Sequence, residues 1–168
     1  LLHARLSAVD PVFGAAANAH WNAAAEHATN ATAQGAGIYG EMGGLTASLV
    51  LGSAYLPDPY VTATATARSV GWLSARAADI AALYAESIRA GEAGTSWHVY
   101  DTISGLAGIG RILLAAVVDG NASGEPGLIA ALTAMTTMLT DNGVPRPGWW
   151  VPTEQHPAVV AARLRRQA

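Results

Sequence analysis

From Tyr60 to Ala90 the chain sets Val70, Leu73, Ala77, Ile80, Tyr84 and Ile88 three and four residues apart, while Arg68, Arg76, Asp79, Glu86 and Arg89 take other faces. That period is helical, and a run of this length requires a long amphipathic helix that buries one side against other elements. Gly71 marks a candidate interruption, and Gly91 and Gly94 close the helix, glycine being favoured just past a helix end. Further helices are predicted over Val12 to Thr29, entered from Pro11, and over about Gly43 to Tyr55, stopped by Pro57 and Pro59. Another covers about Gly105 to Val118, with Leu106, Ile109, Leu113 and Val117 in one stripe and Asp119-Gly120-Asn121 at its end. A last one covers about Pro126 to Thr140, with Leu128, Leu132, Met135 and Leu139 on a common face before Asp141-Asn142-Gly143. Val61 to Ala67 alternates briefly with Thr, but no strand pattern competes, and the expected class is all-α.

Hydrophobic residues make up 51% of the 168, charged residues 12%, and Phe occurs once, so Ala, Leu, Val and Ile carry the core. Small side chains favour closely packed helices. One domain over 1–168 is expected, with 144–168 forming a proline-rich loop (Pro145, Pro147, Pro152, Pro157) and a basic tail. The absence of cysteine excludes disulfides and thiolate chemistry by these residues. Nine Lys plus Arg against 12 Asp plus Glu give a net charge of -3, which argues against nucleic acid as a partner. Arg163, Arg165 and Arg166 are most simply a solvated chain end. No apolar run reaches the roughly 18 to 20 residues of a membrane span. With no signal-peptide pattern visible, a soluble cytoplasmic protein is the expectation. The first residue is Leu1 rather than Met, consistent with a chain clipped at the front.

Two stretches look alike: Tyr39-Gly40-Glu41-Met42-Gly43-Gly44-Leu45 and Ser104-Gly105-Leu106-Ala107-Gly108-Ile109-Gly110, with Gly40 and Gly105 standing 65 positions apart. A helix-pair repeat of that length suits a ring or solenoid in which each hairpin buries its apolar face on the next. Taken alone, a G-x-x-G reports only tight helix packing.

The longer segment Tyr100-Asp101-Thr102-Ile103-Ser104-Gly105-Leu106-Ala107-Gly108-Ile109-Gly110-Arg111-Ile112-Leu113-Leu114 resembles a segment of lanthionine synthetase C-like proteins, in which an aromatic-Asp pair precedes a glycine-rich turn and a helix. Pro147-Gly148-Trp149-Trp150-Val151-Pro152 resembles the loop before that family's next repeat, and with Ile38-Tyr39-Gly40 the resemblance spans about Gly37 to His156. It implies a partial α/α toroid of helix-hairpin repeats that binds a lanthipeptide precursor and joins Cys thiols to dehydrated Ser or Thr by Michael addition. Such chemistry needs a thiolate, which zinc favours, and an acid for the enolate. In the family two Cys and one His of the C-terminal repeats hold the zinc. This chain has no Cys and ends at Ala168, so it is expected to match the family's N-terminal part, to bind no zinc and to be inactive alone. The family's catalytic His belongs in the repeat after the Trp-Trp loop, where Ala158 to Ala168 stand instead.

Only the aspartate carries over as a catalytic residue, onto Asp101, where the resemblance implies that it lines the toroid's mouth and orients or assists a proton donor. The other reading of Asp101 is a cap for the following helix. Trp149 and Trp150 form either a wall for substrate peptide or a clasp that packs their loop on the ring. A lanthipeptide dehydratase is a further implied partner. Uncapped repeat ends expose apolar flanks, so self-association is expected. The alternative function is a noncatalytic peptide-binding or scaffolding remnant. A toroid enzyme acting on sugars ranks below both, since Asp101 has no obvious carboxylate partner.

His20 and His27, seven apart, lack a third ligand at matching spacing, and no metal site is assigned to them. His98 near Asp101 is either a functional neighbour or a solvated loop residue, and His156 matches no ligand motif. Arg111 either pairs with a carboxylate such as Glu41 or Asp119 or snorkels to solvent.

Overall fold

The computed structural model describes residues 1–30, 36–92, 94–140 and 149–153, with side chains at 28–30 and 41 left aside. The described residues form helices and turns with no strand, so the chain is all-α. After a short α1 (Leu2–Leu6), the Asp10 carboxylate accepts the Val12 N–H at 3.0 Å and starts α2 (Val12–Asn30). Helix α3 (Glu41–Gly52) opens on Gly40 in extended conformation, two residues ahead of the expected start. It tightens into a 3-10 turn over Ser53–Tyr55, after which Leu56 turns extended (φ -74°, ψ 149°), as a residue before proline must.

A second 3-10 turn, Pro59–Thr62, is capped by Asp58, whose carboxylate accepts the Tyr60 N–H at 3.0 Å. The alternating stretch Val61 to Ala67 therefore enters the long helix α4 (Ala63–Arg89), which passes through Gly71 without a break. Its end is a Schellman closure: Gly91 (φ 76°) donates to the Ile88 carbonyl at 3.0 Å and Glu92 to that of Ser87 at 3.1 Å. Four residues form α5 (Trp97–Tyr100), followed by α6 (Leu106–Val118), closed in the same way at Gly120 (φ 87°), and by α7 (Glu125–Leu139), with Pro126 in its first turn. The expected turn at Asp141-Asn142-Gly143, Pro145, Pro147, Pro157, His156 and the arginine tail lie outside the described residues.

Helix α3 is apolar all round because it serves two cores. On one side Leu45 and Leu49 join Ala4, Ala17, Trp21 and Leu56 from α1, α2 and the following turn. On the other, Ala47 and Val50 join the main core of Val70, Leu73, Val99, Leu106, Ile109 and Leu113. α4 packs on α3, α6 and α7, and α3 also packs on α6, so the α3–α4 and α6–α7 pairs lie side by side.

In α7 the buried stripe differs from the expected one. Gly127, Ala131, Ala134 and Met138 face inward, whereas Leu132 and Leu139 are exposed together with Ile129. The small residues win because α7 sits directly on α4: a Cβ on Gly127 would stand 2.5 Å from the Ser74 Cα, and the Gly127 N–H donates to the buried Ser74 hydroxyl at 2.8 Å. Leucine on that face would hold the two helices apart.

Gly71 meets nothing within 4 Å of an added Cβ and lies inside α4. Gly71→Ala is therefore expected to stabilise the protein by about 0.5–1 kcal/mol, the helix-interior cost of glycine. Thermal unfolding by circular dichroism checks this, and a lowered melting temperature would contradict it. No helix among the described residues is long and apolar enough to cross a membrane.

Candidate functional site

The two glycine-rich stretches become two helix starts of like construction. Gly40 caps α3 (φ -84°, ψ 170°) and Gly105 caps α6 (φ -105°, ψ -177°), so the helices begin at Glu41 and Leu106, again 65 apart. Three residues beyond each cap stands the glycine that lets the preceding loop lie against the helix. A Cβ on Gly43 would overlap the Ala36 and Gly37 carbonyl oxygens, and one on Gly108 would overlap the Thr102 carbonyl oxygen. The corners also meet each other. The Ile38 N–H donates to the Ile103 carbonyl at 2.8 Å, and a Cβ on Gly37 would come within 2.8 Å of the Ser104 Cα.

Asp101 lies at the root of the second corner. One carboxylate oxygen, Oδ2, accepts the Ser104 N–H at 2.5 Å, the Ser104 hydroxyl at 2.6 Å and the Ile103 N–H at 3.2 Å. Burial raises the Asp101 pKa, but the Ser104 hydroxyl and the N–H groups of Ser104, Ile103 and Thr102 together outweigh it and hold the carboxyl below its ordinary value. Asp101 thus caps the 102–104 turn and not α6, whose cap is Gly105 with no side-chain bond. Its main-chain carbonyl, by contrast, accepts from Gly105 at 3.1 Å and Gly108 at 3.4 Å. Next to it, burial and then the Asp101 charge push the Tyr100 phenol upward, and the Tyr100 ring packs edge-on to Trp97 at 5.1 Å.

A depressed carboxyl pKa has a definite sign in stability. The contribution of Asp101 is full above its unfolded pKa of about 4 and is lost as pH falls through the lower folded value. Asp101→Asn should lower the melting temperature at pH 7, with the gap to the parent narrowing below about pH 4 and closing in stronger acid. Melting curves from about pH 2 to about pH 7 check this. A gap that does not change with pH would contradict it.

Trp150 is half-buried, its carbonyl accepting the Thr95 N–H at 2.7 Å. Its indole lies on Gly94, whose φ of 90° and lack of Cβ make the approach possible. Trp149 beside it is 60% exposed. The pair therefore divides its work, Trp150 clasping the 94–95 segment and Trp149 facing solvent.

Comparison with family models, with curated proteins and with solved structures gives no match.

A cavity of about 330 Å³ adjoins the Trp150 clasp, lined by Arg76, Tyr84, Ser87, Thr95, His98 and Pro152 among others. The Tyr84 hydroxyl is buried without a hydrogen-bond partner among the described residues, and burial raises its pKa. Helical spacing places Tyr84 only in the core stripe; the sole signal of more is a phenol on a face otherwise aliphatic. His98 is exposed, so the structure sets it at this cavity's edge. His20 stacks on His3 with ring centres 5.0 Å apart, and His27 is exposed. Arg111 is exposed on α6, with no ion pair to Asp119 among the described residues.

The zinc implied by the resemblance does not fit these residues. Its site needs two thiolates and the chain has no cysteine; among the described residues no group of three or more His, Asp or Glu is placed to hold an ion.

Proposed function

We propose that the chain is a helix-hairpin module of the lanthionine synthetase C type, part of an α/α toroid, that binds a lanthipeptide precursor in the cytoplasm. The observation that carries this reading is the hydrogen bond from Ile38 to Ile103, which brings two glycine corners of like construction to one place. Hairpins that stack with their helix starts together form an arc around a common mouth.

Each named residue then has a role matched to its chemistry. Closing a thioether takes the proton from a Cys S–H, adds the thiolate to the β-carbon of a dehydrated residue as its Cα=Cβ π bond opens to an enolate, and delivers a proton to the α-carbon. Asp101 is held as the carboxylate near neutral pH, so it accepts hydrogen bonds and does not donate that proton. It is a positioning residue that shapes the corner and orients a donor. The exposed indole of Trp149 offers contact area to the peptide, while Trp150 anchors the loop. The lack of cysteine favours binding of the peptide over its cyclisation by these residues alone. A dehydratase, which makes the dehydrated residues, is the enzyme with which such a module works.

The test is fluorescence anisotropy with a labelled, dehydrated precursor peptide that keeps its Cys thiols. Saturable binding is expected, weakened about tenfold by Trp149→Ala, the scale of an interface aromatic. With zinc added, mass spectrometry after thiol alkylation should show every Cys still alkylated. No saturation up to about 100 µM protein would contradict the binding role, a weak interface being detectable at that level. Thioether formation by the chain alone would contradict the assignment of Asp101 as a positioning residue without chemistry of its own.

Ile129, Leu132 and Leu139 on α7, and Leu114 and Val118 on α6, leave apolar side chains exposed on these two helices. Self-association through these exposed side chains is part of the proposal. Light scattering at about 10 µM, a usual range for weak assembly, should report a mass above 17.1 kDa, and a monodisperse monomer would contradict it.

A further inference from the structure

Helices α2 and α4 both lean on α3, and a cleft of about 470 Å³ stays open between them. That size falls within the roughly 300–1,000 Å³ of small-ligand sites. Its apolar lining comes from all three directions: Met42 and Leu45 at the floor, Trp21 on the α2 side, Val61, Ala65 and Trp72 on the α4 side. Val61 is 64% exposed, a large apolar side chain left on open surface beside the cleft.

The polar part of the lining has one sign. Among the described residues Arg68 is the one charged side chain of the lining, and no described carboxylate accompanies it. It is exposed, and the ion pairs found among the described residues involve Arg76 and Arg89 instead. Asn18 and Asn22 stand one turn apart on the opposite wall and add carboxamide donors. The Trp21 indole N–H is already committed to the Ser48 hydroxyl at 2.8 Å, whereas that of Trp72 has no partner among the described residues. An apolar trough with a cation and surplus donors at its rim complements an apolar body with one anionic end.

We propose that this cleft binds a small apolar monocarboxylate, its chain against Met42, Leu45, Val61 and Trp72 and its carboxylate on Arg68. The guanidinium presents paired N–H donors that match a carboxylate edge to edge. The cleft shares Met42 and Leu45 with the start of α3 but lies on the α2 and α4 side of that helix, and it does not depend on the peptide-binding reading.

Sodium decanoate is the probe, titrated into the full chain while tryptophan emission and amide NMR shifts are followed, with decanol and decyltrimethylammonium as chain-matched controls. Decanoate should give saturable shifts confined to the cleft and bind at least about tenfold more tightly than the ammonium probe, as a charge-assisted contact implies. Arg68→Gln should weaken decanoate about tenfold and leave decanol unchanged. Ala65→Trp, at an exposed position of α4, should fill the cleft and abolish both. Absence of saturation with decanoate, equal affinity for the ammonium probe, or an Arg68→Gln variant that binds decanoate normally would overturn the proposal. So would an apolar tetrapeptide with a free C-terminus that bound about tenfold more tightly than decanoate, since the occupant would then be a peptide end.

Discussion

Gly108→Ala should cost about 3 kcal/mol and lower the melting temperature by about 6–12 °C, at the 2–4 °C per kcal/mol usual for this chain length. The added methyl would overlap the Thr102 carbonyl oxygen and approach the Ile38 side chain at 3.4 Å, so it presses on both glycine corners. The loop cannot yield without losing the bonds from Gly105 and Gly108 to the Asp101 carbonyl. Gly43→Ala faces the Ala36 and Gly37 carbonyls in the same manner and should lose a similar amount. Gly71→Ala, of opposite sign, is the internal control for helix propensity. Denaturant unfolding of the three variants checks the set, and a neutral Gly108→Ala would refute the close approach.

Gly127→Ala should be at least as damaging, about 3–4 kcal/mol, because overpacking is joined there by a lost buried hydrogen bond. Its Cβ would stand 2.5 Å from the Ser74 Cα and 2.6 Å from the Ser74 carbonyl oxygen, both backbone atoms of α4. Helix α7 must move away, and the Gly127 N–H then loses the Ser74 hydroxyl that holds it at 2.8 Å. The inward stripe of Ala131, Ala134 and Met138 loosens with it. A melting temperature lower by about 6–16 °C is expected. Unchanged stability would mean that α4 and α7 do not cross at this point.

Local chemistry makes most of the helices legible from the amino-acid order alone. Apolar spacing locates α4, α6 and α7, and Pro57, Gly91 and Gly120 punctuate them where proline geometry and left-handed glycine require. What such spacing misses is tertiary. Spacing assigns Leu132 and Leu139 inward, yet α7 buries Gly127, Ala131, Ala134 and Met138 instead, and at the Ser74 crossing only glycine fits. Glycine spacing locates both corners but carries no sign that Ile38 bonds to Ile103, because backbone pairing between distant loops has no side-chain pattern. The two readings of Asp101 and of the tryptophans turn on the same limit. Which oxygen meets which N–H, and which indole meets Gly94, are decided by loop paths that composition does not encode.

The stacking of the two corners is measured most directly by hydrogen exchange at a single amide. Ile38 lies outside every helix, so its N–H is shielded only if the Ile103 carbonyl receives it. Native-state exchange at Ile38 slowed by about a hundredfold or more relative to an unstructured peptide is the predicted result. Exchange at the unstructured rate, with the α6 amides still protected, would contradict it.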